Sequence, residues 1–102
     1  MGILHTVNKS PFSHSTLASC LEVCGRDDCI LLLEDGVLGA MQSSPCTRQL
    51  TLAIQQGVKI YALSSDIKAR GLSEKLLPDI QATDYSGFVR LSIEHRCVQS
   101  WY

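Results

Sequence analysis

Five cysteines, Cys20, Cys24, Cys29, Cys46 and Cys97, are the side chains of this 102-residue sequence best fitted for covalent chemistry. A thiol reacts as its thiolate, so a working cysteine needs a lowered pKa and an open approach. The odd count and the lack of a C-x-x-C pair argue against a disulfide framework, and reduced thiols are expected. Cys20 and Cys24 are i, i+4 neighbours, but two thiols without a third and fourth ligand at matching spacing make a poor zinc site. No metal is expected. His5, His14 and His95 are scattered, with no H-x-x-x-H or H-E-x-x-H arrangement. Glycine-rich phosphate loops are absent, so no nucleotide cofactor is expected either.

Position along the chain weighs one thiol against another. Cys20 falls mid-helix at the edge of an apolar face, where a side chain can be partly exposed. The helix dipole offers it little there, so a basic neighbour such as Lys9 or His14 would have to activate it. The competing reading is a small apolar core residue, the usual fate of free cysteine. Cys24 shares the face of Leu17 and Leu21 and is expected in the core. Cys29 opens an apolar strand and reads as packing; Cys46 follows Pro45 in what reads as an exposed loop; Cys97 has no assigned role. His5, on the first strand, reads as a hydrogen-bonded structural residue. Asp35-Gly36, at a strand's C-terminal end, stands where α/β folds place ligands, although an ordinary turn is the heavier reading. Trp101 and Tyr102 are large aromatics at the end of the chain: interface anchors, or rings folded back on their own core.

The elements that must position these groups follow from composition and period. A length of 102 residues fits a single domain, 1–102, with 45% hydrophobic and 19% charged residues, a globular balance. A formal net charge of −1 supplies no broad basic face for direct capture of nucleic acid. No run approaches the roughly 20 apolar residues of a membrane span, and the first residues lack the charged start and long apolar stretch of a signal peptide, so a cytoplasmic protein is expected. Strands are expected at Ile3–Val7, Cys29–Leu33, Val58–Leu63, Ile80–Thr83 and Val98–Trp101. Helices are expected over about 15–24, 37–41, 46–56, 64–70 and 85–94, with a short helix or turn at 72–77. Ser13 or Ser15, the Ser64-Ser65-Asp66 run and Asp84 supply the capping oxygens. The alternation predicts a three-layer α/β domain with a mostly parallel sheet of about five strands flanked by helices.

Several segments together resemble the TusB/DsrH family. These are Leu4-His5-Thr6-Val7-Asn8-Lys9-Ser10-Pro11-Phe12, Leu32-Leu33-Glu34-Asp35-Gly36-Val37, and Ile60-Tyr61-Ala62-Leu63 followed by Asp66-Ile67 and Ala69-Arg70-Gly71-Leu72. Asp84-Tyr85 with Phe88-Val89, and Val98-Gln99-Ser100-Trp101, complete the pattern. The resemblance implies a DsrE/DsrF/DsrH-like fold and assembly into a heterohexamer with DsrE/TusD-like and DsrF/TusC-like subunits. It also implies exchange of sulfur with a small DsrC/TusE-like carrier. TusB-type members serve 2-thiolation of the tRNA wobble uridine; DsrH-type members serve sulfur oxidation. The main sulfur-carrying cysteine is expected on the DsrE/TusD-like partner. DsrH-type proteins tend to carry a cysteine in the first helix where Cys20 stands, which draws this sequence toward that branch. It also makes Cys20 the candidate persulfide carrier. The alternative is a structural subunit without chemistry of its own.

Overall fold

The computed structural model describes residues 2–102. The described elements run β1 (Ile3–Val7), α1 (Thr16–Val23), β2 (Cys29–Leu32), a 3-10 helix (Glu34–Ala40), α2 (Thr47–Gln55), β3 (Lys59–Leu63), α3 (Ser64–Ala69), β4 (Gln81–Thr83), α4 (Tyr85–Glu94) and β5 (Cys97–Trp101). The five strands form one sheet in the order β4-β3-β2-β1-β5, and every pairing in it is parallel. Helical crossovers are what make such a sheet possible, because parallel neighbours cannot be joined by a tight hairpin. The α/β architecture read from the alternation is the one observed.

The continuous apolar run of β2, and the burial of β1 with its His5 and Thr6, follow from a sheet covered on both faces. On one face lies the larger core, where Leu17 and Cys20 of α1, Leu50 and Ala53 of α2, Ile67 of α3 and Val37 pack on Val7, Ile30, Leu32, Ile60 and Ala62. On the other, Leu4, Cys29 and Leu31 meet Leu91 of α4, with Phe88 and Tyr61 half-buried beside them. A fully buried leucine contributes roughly 2–3 kcal/mol, so the first face carries most of the stability. The second, covered by α4, leaves Val89 and Ile93 exposed.

Local chemistry departs from the sequence reading at two helix caps. Ser15 stands at the start of α1 but makes no side-chain cap, and Leu63 rather than a serine or aspartate precedes α3. Asp66 instead accepts the Glu34 N–H at 2.8 Å, tying α3 to the start of the 3-10 helix. Of the helix or turn expected at 72–77 the turn is observed, closed by the Lys75 N–H on the Leu72 carbonyl at 2.9 Å, and Leu76 then makes an isolated antiparallel bridge with Met41. Asp84 does cap α4, its Oδ1 accepting the Gly87 N–H at 2.8 Å. Gly36 is required by close approach, since a Cβ there would run into the Val7 carbonyl.

Candidate functional site

The parallel register gathers two cysteine–histidine neighbourhoods on opposite faces of the sheet. In the first, α1 lies over β1, placing Cys20 and Cys24 above His5. Their sulfurs are 3.7 Å apart, and the donor atoms of His5, Cys20 and Cys24 all lie within 4.8 Å of one another. The strand thus brings a third donor to a pair that lacked one in sequence. Both nitrogens of that histidine are already committed. The Trp101 indole can only donate, and its Nε1–H reaches His5 Nδ1 at 3.0 Å, so the ring proton sits on Nε2 and goes to Asp28 Oδ2 at 3.0 Å. A ligand role for His5 would break one of these bonds. His5 is the hydrogen-bonded structural residue expected from its strand position.

Asp28 is the hub of this network. Its Oδ1 accepts the Ile3 N–H at 2.9 Å and its Oδ2 the Gly25 N–H at 3.0 Å, beside the His5 bond. Partial burial opposes its ionisation, but the Gly25 and Ile3 amides and His5 outweigh that and hold the carboxyl below its usual range. Nothing in the sequence spacing marks Asp28 as such a hub.

Of the two readings of Cys20, a helix-edge thiol or a core residue, the core position is observed: it is 0% exposed, within the larger core. The hydrogen bond with Cys24, then burial, then the negative charges of Cys24 and Asp28, push its pKa far up. Cys24, expected in the core, is half-buried, and the Cys20 S–H holds its pKa down against burial and Asp28. Of the pair, only Cys24 is partly exposed. Cys46, expected on an exposed loop, is buried at the start of α2, and burial raises its pKa.

The second neighbourhood joins residues 66 apart in sequence. Cys29 opens β2, and its sulfur lies 3.1 Å from Nε2 of His95, the C-cap of α4. His95 Nδ1 is 2.7 Å from the Leu91 carbonyl, which can only accept. That bond fixes the proton on Nδ1 and leaves the Nε2 lone pair facing the thiol. Sequence alone carried no signal for this pair, because only the β1–β2–β3 register and the end of α4 bring them together.

The turn at Asp35-Gly36 is closed by charge: Arg70 donates to Asp35 Oδ1 at 3.1 and 2.9 Å and lies 3.5 Å from Asp66. Asp35 and Gly36 lie in the first turn of the 3-10 helix rather than in a free turn. Trp101 packs against the larger core, whereas Tyr102 is 83% exposed. Among the described residues no helix is long and apolar enough to cross a membrane.

Comparison with known proteins gives the family. The family model described as "DsrH like protein" matches residues 9–98. Protein TusB of Shigella flexneri is 37% identical over 99 residues, covering 97% of this chain and 100% of that one. The chain belongs to the DsrH-like family. Protein TusB of Escherichia coli O81 is 36% identical over the same share. In structure this DsrH-like chain is similar to the ychN protein of E. coli, at a TM-score of 0.86, 14% identity and 98% of both chains. A protein of unknown function from Methanobacterium thermoautotrophicum, MTH1491, follows at a TM-score of 0.77, 16% identity and 96% of both. These last two likenesses concern the fold.

Proposed function

We propose that this chain is a subunit of a cytoplasmic sulfur-relay complex, built with DsrE/TusD-like and DsrF/TusC-like sister subunits and serving a DsrC/TusE-like sulfur carrier. The observation that carries this is the family match along almost the whole chain, supported by relatives named Protein TusB over their full length. The downstream product is 2-thiouridine in tRNA or an intermediate of sulfur oxidation, and Cys20 in α1 favours the second. With a net charge of −1, the chain reaches any RNA through its partners.

Within such a complex Cys20 is the family's candidate persulfide carrier, and the structure attaches a condition to that role. Cys20 is sealed in the core, and the half-buried Cys24 at 3.7 Å is the sulfur nearest to hand for delivery to it. That complete burial also favours a second reading, in which the subunit only assembles the complex and shapes carrier docking.

Reconstituting sisters, chain and carrier with a persulfide donor tests both. Omitting the chain should abolish transfer to the carrier, and undiminished transfer without it overturns the subunit reading. Cys20→Ser should slow the flux at least tenfold if Cys20 carries sulfur; unchanged flux with an intact complex leaves the structural role.

A further inference from the structure

A cavity of about 330 Å³ opens on the α4 face at the N-terminal edge of the sheet. At roughly 30 Å³ per liquid water it holds about ten waters, room for a small thiol or the end of an extended side chain. Cys29 and His95 stand in its wall, with Leu91 and Tyr61 as apolar lining and Lys59 beside them. Cys29 and Lys59 are register partners on adjacent strands, so their side chains share this face. Arg26 and the carboxylates of Asp27, Asp28 and Glu94 also line it, so with Lys59 the cavity holds charges of both signs and a slight acidic excess.

We propose that Cys29, with His95 as its base, is a sulfur-accepting nucleophile that takes sulfane sulfur from a small persulfide in this cavity. The geometry supplies the three parts that nucleophilic catalysis needs: a thiol, a base within 3.1 Å, and a carbonyl at 2.7 Å that orients the base. The base is required because Cys29 does not ionise readily alone. Burial raises its pKa; Lys59 lowers it, while Asp28, Glu94 and Cys24 add to the rise. Proton transfer must therefore accompany attack.

The step balances without an oxidant. The Cys29 S–H proton passes to His95 Nε2 as Sγ attacks the outer sulfur of R–S–SH. A Cys29–sulfur bond forms, the donor's S–S bond breaks, and R–S⁻ leaves with the proton returned from the imidazolium. Cys29 ends as a persulfide and the donor as a thiol. The site lies on the face of the sheet opposite Cys20 and Cys24, and Leu91 helps wall it.

This inference deepens the sulfur-relay reading and rests on it for the identity of the donor chemistry. The test treats the purified full-length chain with freshly prepared cysteine persulfide and maps the added sulfur to each cysteine by peptide mass spectrometry. Cys29 should gain the mass of one sulfur atom. His95→Asn should cut its loading rate at neutral pH by about 100-fold, the scale of a lost general base, and shift the pH profile upward toward the free thiol's own ionisation. A His95→Gln variant, checked for native unfolding behaviour, guards against a folding defect. Sulfur on Cys24 or Cys97 with none on Cys29, or loading that ignores position 95, overturns the proposal. Loading without assembly would sink the subunit reading and leave this site standing; assembly without loading would do the reverse.

Discussion

His5 and His95 sit on opposite faces of one sheet, each beside cysteine sulfur, and differ in which ring nitrogen is left over. At His5 the Trp101 indole takes the free lone pair and Asp28 takes the proton, so nothing remains for the thiols of α1. At His95 a backbone carbonyl takes the proton, and the lone pair meets Cys29. The first arrangement holds strands and helix together; the second leaves a base facing a nucleophile. Proximity of histidine to cysteine says little until the second hydrogen bond of the ring is known.

The largest effect that sharpens this contrast comes from unsealing the His5 side. Leu17→Ala should destabilise the protein by about 3 kcal/mol in denaturant unfolding, since Leu17 is fully buried in the core that holds Cys20. It should also let native-state alkylation reach Cys20. Equal Cys20 labelling in the parent protein would break the claim that this thiol is sealed.

Asp28→Ala comes next, at about 2 kcal/mol, because it strands the Ile3 and Gly25 amides and the His5 Nε2–H. The same residue predicts acid behaviour. Its folded carboxyl lies below its ordinary value, so its contribution is present above the usual carboxylate pKa of about 4 and is lost as pH falls through the lower folded value. Stability measured from pH 6 downward (about two units above that value) should fall less steeply in Asp28→Ala. An identical acid limb in both proteins would remove Asp28 from the account.

Trp101→Phe should cost about 1 kcal/mol by deleting one hydrogen bond, and it frees His5 Nδ1. If the free lone pair is what separates the two histidines, Cys24 alkylation should quicken in this variant. An unchanged rate would show that burial alone quiets the α1 pair. The smallest effect is expected at Tyr102, 83% exposed, where Tyr102→Ala should shift stability by less than about 0.5 kcal/mol. Weaker retention of the sister subunits in that variant, measured by co-purification, would mark the ring as an interface anchor.

The fold was legible because its signals are local. Apolar runs at Ile3–Val7 and Cys29–Leu32, and Asp84 as a cap, each arise within a few neighbouring residues. Residues 72–77 left helix and turn open in sequence, and the turn is formed beside the Met41–Leu76 bridge, a pairing 35 residues apart. The thiols were misjudged for the same kind of reason. Helix periodicity placed Cys24 inward and Cys20 at an edge, but exposure at the end of α1 depends on where the chain turns toward β2. Asp28 carries no sign of its hub role in local sequence, and Cys29 gives no hint of a histidine at the far end of α4. Contacts set by parallel register have no signature in sequence spacing.

Native mass spectrometry of the chain co-expressed with DsrE-like and DsrF-like sisters bears most directly on the central claim. The account predicts one stable assembly holding all three kinds of subunit, with this chain absent from the monomer peak. A chain that stays monomeric while the other two assemble without it would contradict the account.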